Sequence, residues 1–386
     1  MKTMAIIPES EQIHTGKKTD LLSLTLPQLQ EWLVERGEAP FRARQVYTWL
    51  YRGLVTDFAQ MTNLPLALRE RLAQEATIGS MIVRSELHSK DDRTRKILLE
   101  LADGKLIESV LMLYPPLGEN SARATVCVSS QAGCAFGCTF CATGQMGFAR
   151  HLSAGEIVAQ VLYFARELRA APWTAAGLPG STPIDRITNI VLMGMGEPLH
   201  NYANVMQALR ILNSAQGFNL GARHMTVSTV GLVPAIRKLS QEPLQINLAI
   251  SLHAPTDELR GKTMPVNRKY PIAELLAAVQ DYIKETGRQV TFEYVLLAGV
   301  NDTPEYARKL GELLAPLKQF AHVNCIPVNA TSASYKAPQP EAMRAFRDIL
   351  FEHGVSNTVR AERGDDIAAA CGQLRTQFVR AQRNRA

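Results

Sequence analysis

Four of the six cysteines lie within fifteen residues: Cys127, Cys134, Cys138 and Cys141. The last three form a C-x3-C-x2-C pattern in Cys134-Ala-Phe-Gly-Cys138-Thr-Phe-Cys141. Such clustering in a chain of this size reads as metal binding or redox chemistry rather than a disulfide framework. Three thiolates on so short a loop can wrap one face of a 4Fe-4S cubane, each binding one iron. The fourth iron then lacks a protein ligand and can chelate the amino and carboxylate groups of S-adenosylmethionine, whose sulfonium an electron from the cluster would split. Phe140, just before the last cysteine, suits a cluster packed against an apolar ring. The alternative is structural zinc with Cys127 or a histidine as fourth ligand, although the chain has no second C-x2-C knuckle to pair with the first.

The other thiols have two readings each. Cys371, in DDIAAACGQL, is a reactive thiol or a buried helix cysteine among alanines. Reaction would require deprotonation, which Arg360 and Arg363 could favour if they lie close in space. Cys127, in ATVCVSS, has the periodicity of an inward strand residue, and Cys325, in VNCIPVN, reads as core. Gly194-Met195-Gly196-Glu197-Pro198 follows the strand-like RITNIVLM. Its glycines would let a ligand approach the backbone, or simply end the strand in a turn. Ser228, Ser251-Leu252-His253 and Asn329 close three further strand-like runs. Serine and asparagine suit ribose and carboxylate oxygens; a lone histidine there is as well read as structural. Glu108, in LIESVLM, is either an exposed strand residue or a general base.

The elements that must position these residues are legible as periodicities. Residues 20–78 read as helical: TLPQLQEWLVERG stops at Gly37, a second helix spans Arg42 to Tyr51, and a third spans Pro65 to Ala76. Residues 80–114 alternate apolar and polar positions about Asp103-Gly104, a hairpin signal. From about residue 122, six strand-like runs (ATVCVSS, RITNIVLM, RHMTVST, QINLAIS, QVTFEYVL and HVNCIPV) alternate with helical patterns. One helix starts at a Ser153/Glu156 capping box and another spans Ile272 to Thr286. Repeated β-α units predict an α/β fold with a parallel sheet, either an open doubly wound sheet or a partial barrel; both gather chemistry at the C-terminal strand ends. The stretch 171–183 reads as a loop and the basic last residues as a solvated tail. The expected division is a helical unit over 1–78, a β-hairpin connector over 79–120, the β-α region over 121–355 and a C-terminal segment over 356–386.

The chain has 386 residues, 46% hydrophobic and 20% charged, as expected of a globular protein with sizeable cores. No apolar run is long enough for a bilayer and the N-terminus has no signal-peptide pattern, so a cytoplasmic protein with no membrane contact is expected. A net charge of +6 and a pI near 9.0 fit a polyanionic partner without requiring one.

CVSSQAGCAFGCTFCATGQMGFARHL, GMGEPLHNY, SLHAP and RGDDIAAACGQL, in this order, resemble the dual-specificity RNA methyltransferases of the RlmN type, members of the radical S-adenosylmethionine superfamily. The likeness runs from about Leu26 to Leu374. It implies a partial (β/α)6 barrel with an N-terminal RNA-binding helical domain. It also implies a 4Fe-4S cluster on Cys134, Cys138 and Cys141, and S-adenosylmethionine contacts from Gly196, Glu197, Ser228, Ser251, Leu252, His253 and Asn329. The implied reaction makes 2-methyladenosine in 23S ribosomal RNA and tRNA. Cys371 is methylated by one S-adenosylmethionine; a second yields a radical that abstracts hydrogen from that methyl group; the resulting carbon adds to adenine. Cys127 resolves the protein–RNA adduct through a transient disulfide with Cys371, and Glu108 is the implied proton acceptor. An electron donor such as flavodoxin or ferredoxin is implied, and a monomer is expected. The chain departs from the family in a longer stretch before Cys127 and in Val328, where tryptophan is frequent. Two rivals remain at this stage: methylation of carbon 8 of the ribosomal adenine by the sister, antibiotic-resistance class, and a zinc-stabilised RNA-binding protein without catalysis.

Overall fold

The structure, a computed structural model, describes residues 18–116, 121–174, 183–329, 335–360, 364–370 and 372–374. Cys371 and Arg363 therefore lie outside the described residues, as do most of the 171–183 stretch and the basic tail.

The helical unit is closed at its base by a two-residue parallel pairing of β1 (Thr19–Asp20) with β2 (Ala76–Thr77). Between them lie α1 (Leu26–Val34), α2 (Phe41–Thr48) and α3 (Leu66–Glu75). Each buries one stripe: Leu29 and Leu33, then Ala43, Val46 and Tyr47, then Leu68 and Leu72.

Three antiparallel strands follow: β3 (Ile82–His88), β4 (Thr94–Glu100) and β5 (Leu106–Tyr114). The Asp103-Gly104 turn joins the last two, with Gly104 at φ +76. β5 then pairs antiparallel with β6 (Arg123–Cys127), Val110 opposite Cys127. The hairpin is thus continuous with the main sheet through an unbroken ladder.

After β6 a short ribbon, β7 (Gln131–Gly133) against β8 (Phe148–His151), brackets the cysteine loop. α4 (Ala154–Ala170) then starts at the Ser153/Glu156 capping box, the Glu156 N–H donating to Ser153 Oγ at 3.1 Å and the Ser153 N–H to Glu156 Oε2 at 2.9 Å. The chain continues through β9 (Asn189–Leu192), α5 (Tyr202–Asn213), β10 (Met225–Thr229), α6 (Val233–Leu239), β11 (Asn247–Ser251), α7 (Asp257–Thr263) and α8 (Ile272–Thr286). It ends with β12 (Val290–Leu296), α9 (Pro304–Leu314), β13 (Ala321–Pro327), α10 (Pro340–Glu352) and β14 (Ser356–Val359).

The spatial order β6-β9-β10-β11-β12-β13-β14 repeats the chain order, and every one of these neighbours is parallel. A doubly wound sheet reverses direction at a switch point. This sheet never does, so its helices wind one way, as in a barrel, and β14 does not pair back to β6: the barrel is partial. β14, β7 and β8 had no counterpart among the six runs expected from sequence. One hydrophobic core unites Leu29, Leu33 and Tyr47 of the helical unit with Val126, Leu192 and Ile250 of the sheet. No helix of the described residues is long and apolar enough to cross a membrane.

Candidate active site

The cysteine loop is a closed loop because its ends are fastened. Gly133 sits at φ +77, where a Cβ would lie 2.0 Å from the carbonyl oxygen of Gly147, so only glycine lets the two ribbon strands meet. The Cys134 N–H donates to that oxygen at 2.9 Å. Farther along, the Thr139 N–H donates to the Thr263 carbonyl at 2.9 Å and the Ala142 N–H to the Gly372 carbonyl at 2.8 Å. The loop is thereby held between the end of α7 and the residue that follows Cys371.

Cys134, Cys138 and Cys141 line one wall of a cavity over the C-terminal strand ends, and none is in a disulfide. Gly196, Glu197, Ser228, Ser251, His253 and Asn329 line the same cavity. Nine residues singled out from sequence thus share one space. Burial pushes the Cys134 thiol up to about 11 and the Cys138 thiol higher still, with repulsion from Cys141 adding to both shifts. Such thiols stay protonated until a cation displaces the proton. Among the described residues no three Cys, His, Asp or Glu side chains converge as a single ion requires. A cubane takes each sulfur on a different iron, and three thiols lining one cavity beside an apolar Phe140 are the donor set it needs.

Glu197 is 2% exposed and already engaged: Oε1 accepts the Leu199 N–H at 2.9 Å and Oε2 the Val230 N–H at 2.8 Å, tying the β9 end to the β10 end. Burial raises its pKa to about 7 against these hydrogen bonds. Gly196 is at φ +100 and packs on Gln131, whose Cβ a side chain there would meet at 2.4 Å. His253 is a buried, neutral ring: Nδ1 accepts the Val295 N–H at 3.0 Å, and burial and Arg260 hold its pKa down at about 3. Its edge meets Phe140 at 4.9 Å between centroids. Leu252 does not line the cavity; it is fully buried and its backbone groups are bonded to Glu293 and Arg260.

Glu108 and Cys127 do not line that cavity either. They sit on the same face of neighbouring strands, Glu108 two residues from Val110, the register partner of Cys127. Glu108 is 4% exposed, not the solvated strand residue that was one expectation, and pairs with Lys96 at 3.4 Å. Lys96 also donates to the Ala368 carbonyl at 2.9 Å, three residues before Cys371. Cys325 is fully buried core, as expected.

Sequence reasoning missed Glu293, which is 5% exposed, lines the cavity and accepts from Asn324 at 2.8 Å, and it could not place Arg360, which also lines it. A lone glutamate in the apolar run QVTFEYVL was the available signal. Arg360 and Met193 also border a second cavity, on the concave face nearer the strand N-termini, with Thr125, Asn189, Thr226, Asn247 and Asn324.

Residues 19–78 match the family model for the ribosomal RNA large subunit methyltransferase N-terminal domain, and residues 182–310 match that of the radical SAM superfamily. The chain is 49% identical over 92% of each chain to a probable dual-specificity RNA methyltransferase RlmN of Geobacillus kaustophilus, and 51% identical over 92% of each to one of Chloroflexus aurantiacus. The chain belongs to the RlmN family of radical SAM RNA methyltransferases. A crystal structure of a radical SAM methyltransferase from Sphaerobacter thermophilus superposes with a TM-score of 0.85 at 49% identity, covering 92% of this chain and 99% of that one. Membership of the RlmN family makes the chain an S-adenosylmethionine-dependent methyltransferase whose cofactors are a 4Fe-4S cluster and S-adenosylmethionine. It removes the non-catalytic zinc reading.

Proposed function

We propose that this enzyme methylates carbon 2 of an adenine in 23S ribosomal RNA and in tRNA. The observation that carries the reading is the meeting, in one strand-end cavity, of the three-cysteine loop, the Gly196–Glu197 edge and the polar ends of β10, β11 and β13. In this reading Cys134, Cys138 and Cys141 hold the cluster. Gly196, Glu197, Ser228, Ser251, His253 and Asn329 surround S-adenosylmethionine, and Leu252 contributes by fixing the backbone between its neighbours. When bound to these cysteines, a reduced cluster would supply the electron that cleaves a carbon–sulfur bond of S-adenosylmethionine.

Cys371 is the methyl carrier. Its thiolate attacks the methyl carbon of one S-adenosylmethionine, forming S-methylcysteine as S-adenosylhomocysteine leaves, and a second S-adenosylmethionine serves the radical step. Glu108, paired with Lys96, accepts the ring proton. Cys127, on the strand beside the Glu108 position, attacks the Cys371 sulfur; the carbon–sulfur bond to the RNA breaks, the released carbon takes up a proton to become the methyl group, and the two sulfurs are left as a transient disulfide. The hold of Lys96 on the Ala368 carbonyl and of Ala142 on the Gly372 carbonyl supports this, because both tie chain next to Cys371 to the parts it would serve.

RNA is favoured by the concave face below the cavity, where amides and hydroxyls replace the aliphatic layers usual in barrels. Arg123, stacked on Tyr114 at 4.3 Å, stands at its edge and suits a phosphate or a base. The helical unit over 1–78 acts as the RNA-binding accessory domain, the reductant is a flavodoxin or ferredoxin, and the setting is cytoplasmic. The test is anaerobic incubation of the reconstituted enzyme with 23S RNA and tRNA fragments, followed by nucleoside mass spectrometry. 2-Methyladenosine is expected; 8-methyladenosine would assign the sister reaction, and unmodified RNA would refute the proposal.

A further inference from the structure

Arg260, on α7, is 0% exposed, an unusual place for a guanidinium. Nε donates to the Leu252 carbonyl at 3.1 Å. Nη1 donates to Asn267 Oδ1 at 2.9 Å and to the Tyr270 carbonyl at 3.4 Å, and Nη2 to the carbonyls of Val230 at 2.7 Å and Ser251 at 3.2 Å. Every donor is satisfied, yet none of the five acceptors is a carboxylate. Hydrogen bonds to neutral oxygens complete the guanidinium's geometry but leave its charge with no carboxylate in direct contact in a poor dielectric, which is costly.

The nearest layer of structure shows where the missing negative charge belongs. Cys138 packs on Met264 and Val266, with Val230 and Tyr270 at the edge of the same cluster. Val230 and Tyr270 are the residues whose carbonyls Arg260 holds. One turn beyond Arg260, Thr263 accepts the N–H of Thr139, the neighbour of Cys138. One layer of backbone thus separates the guanidinium from the cysteine loop. Two carboxylates act nearby. Asp257 is exposed and occupied by Asn267 and the Ile272 N–H, while Glu197 bonds the Val230 N–H from the other side. Burial lowers the guanidinium pKa to about 10, which leaves it charged at neutral pH.

We propose that Arg260 is the fixed counter-charge of the iron–sulfur cluster, a positioning residue that makes one-electron reduction of the cluster easier. The inference rests on the assignment of Cys134, Cys138 and Cys141 as cluster ligands. An oxidised 4Fe-4S core with three thiolates carries net negative charge, and the electron delivered by an external low-potential carrier, itself oxidised by one electron, adds another. A buried cation one layer away offsets that added charge, and solvent screens it little.

The test is an EPR-monitored redox titration of reconstituted wild-type, Arg260→Lys and Arg260→Gln proteins. Wild type and the lysine variant should titrate close together. The glutamine variant should need a more negative potential, by about tenfold in the one-electron equilibrium or about 59 mV. A glutamine variant with full iron and the wild-type potential, or a lysine variant displaced as far as glutamine, overturns the proposal. If the glutamine variant does not fold, the charge-swap Asp257→Asn/Asn267→Asp brings a carboxylate against the intact guanidinium without changing the net charge. It should shift the potential the same way, and an unchanged potential refutes the idea. Iron content of a protein with Cys134, Cys138 and Cys141 all changed to alanine separates the two failures. Retained cluster would undo the ligand assignment itself; lost cluster with unshifted Arg260 variants would undo only the counter-charge.

Discussion

Glu197 shows how much of this site is spent on holding strand ends together. Its carboxylate joins two loops through backbone N–H groups, and burial lifts its pKa to about 7 from an ordinary 4.5. A group raised on folding stabilises the fold fully below its unfolded pKa and loses that contribution as pH rises through its folded value. The apoprotein should therefore lose stability between pH 5 and 8, by up to about 3 kcal/mol, and Glu197→Gln should lack that slope in urea titrations. Cys371→Ala should abolish methyl transfer while iron content is retained; turnover by that variant would defeat the carrier role. Cys127→Ala should leave RNA covalently attached, seen as a protein band shifted by RNA on a denaturing gel; free RNA alone would count against its role. The three-cysteine pattern was legible because the ligands lie on one loop. Glu293, Arg260 and Arg360 were not, because their meeting depends on strand register and helix packing across separations of more than thirty residues.

At the scale of elements, the capping box of α4 and the Asp103-Gly104 turn were readable because local chemistry fixes both. The ribbon of β7 and β8 was not, since three- and four-residue strands carry no periodicity. It depends instead on Gly133 and on Arg150, which joins Asp103 at 2.7 Å to Glu156 at 2.8 Å and so ties the hairpin tip to α4. Gly196 sits behind this ribbon against Gln131. Gly196→Ala would be strained both by its φ and by the contact. It should raise the KM for S-adenosylmethionine by about tenfold or more, with the melting temperature as control; an unchanged KM would place the cofactor elsewhere.

At the scale of the whole molecule, alternating strands and helices were evident in the sequence, but the choice between a doubly wound sheet and a partial barrel was not. That choice lies in strand order, which periodicity does not encode; the uninterrupted order from β6 to β14 decides it. The helical unit also proves inseparable in packing: Tyr47 is 1% exposed in the shared core, and Arg52 donates to the Ala215 carbonyl at 2.6 Å. Tyr47→Ala should destabilise the protein by about 3 kcal/mol, and one cooperative transition rather than two should accompany it in denaturant. The central claim is that the three-cysteine loop presents a cluster with an open iron to S-adenosylmethionine in the strand-end cavity. Mössbauer spectroscopy of the iron-57-reconstituted enzyme tests this directly. Adding S-adenosylmethionine should change the signal of a single iron site and leave the others in place, whereas a spectrum indifferent to S-adenosylmethionine would contradict the account.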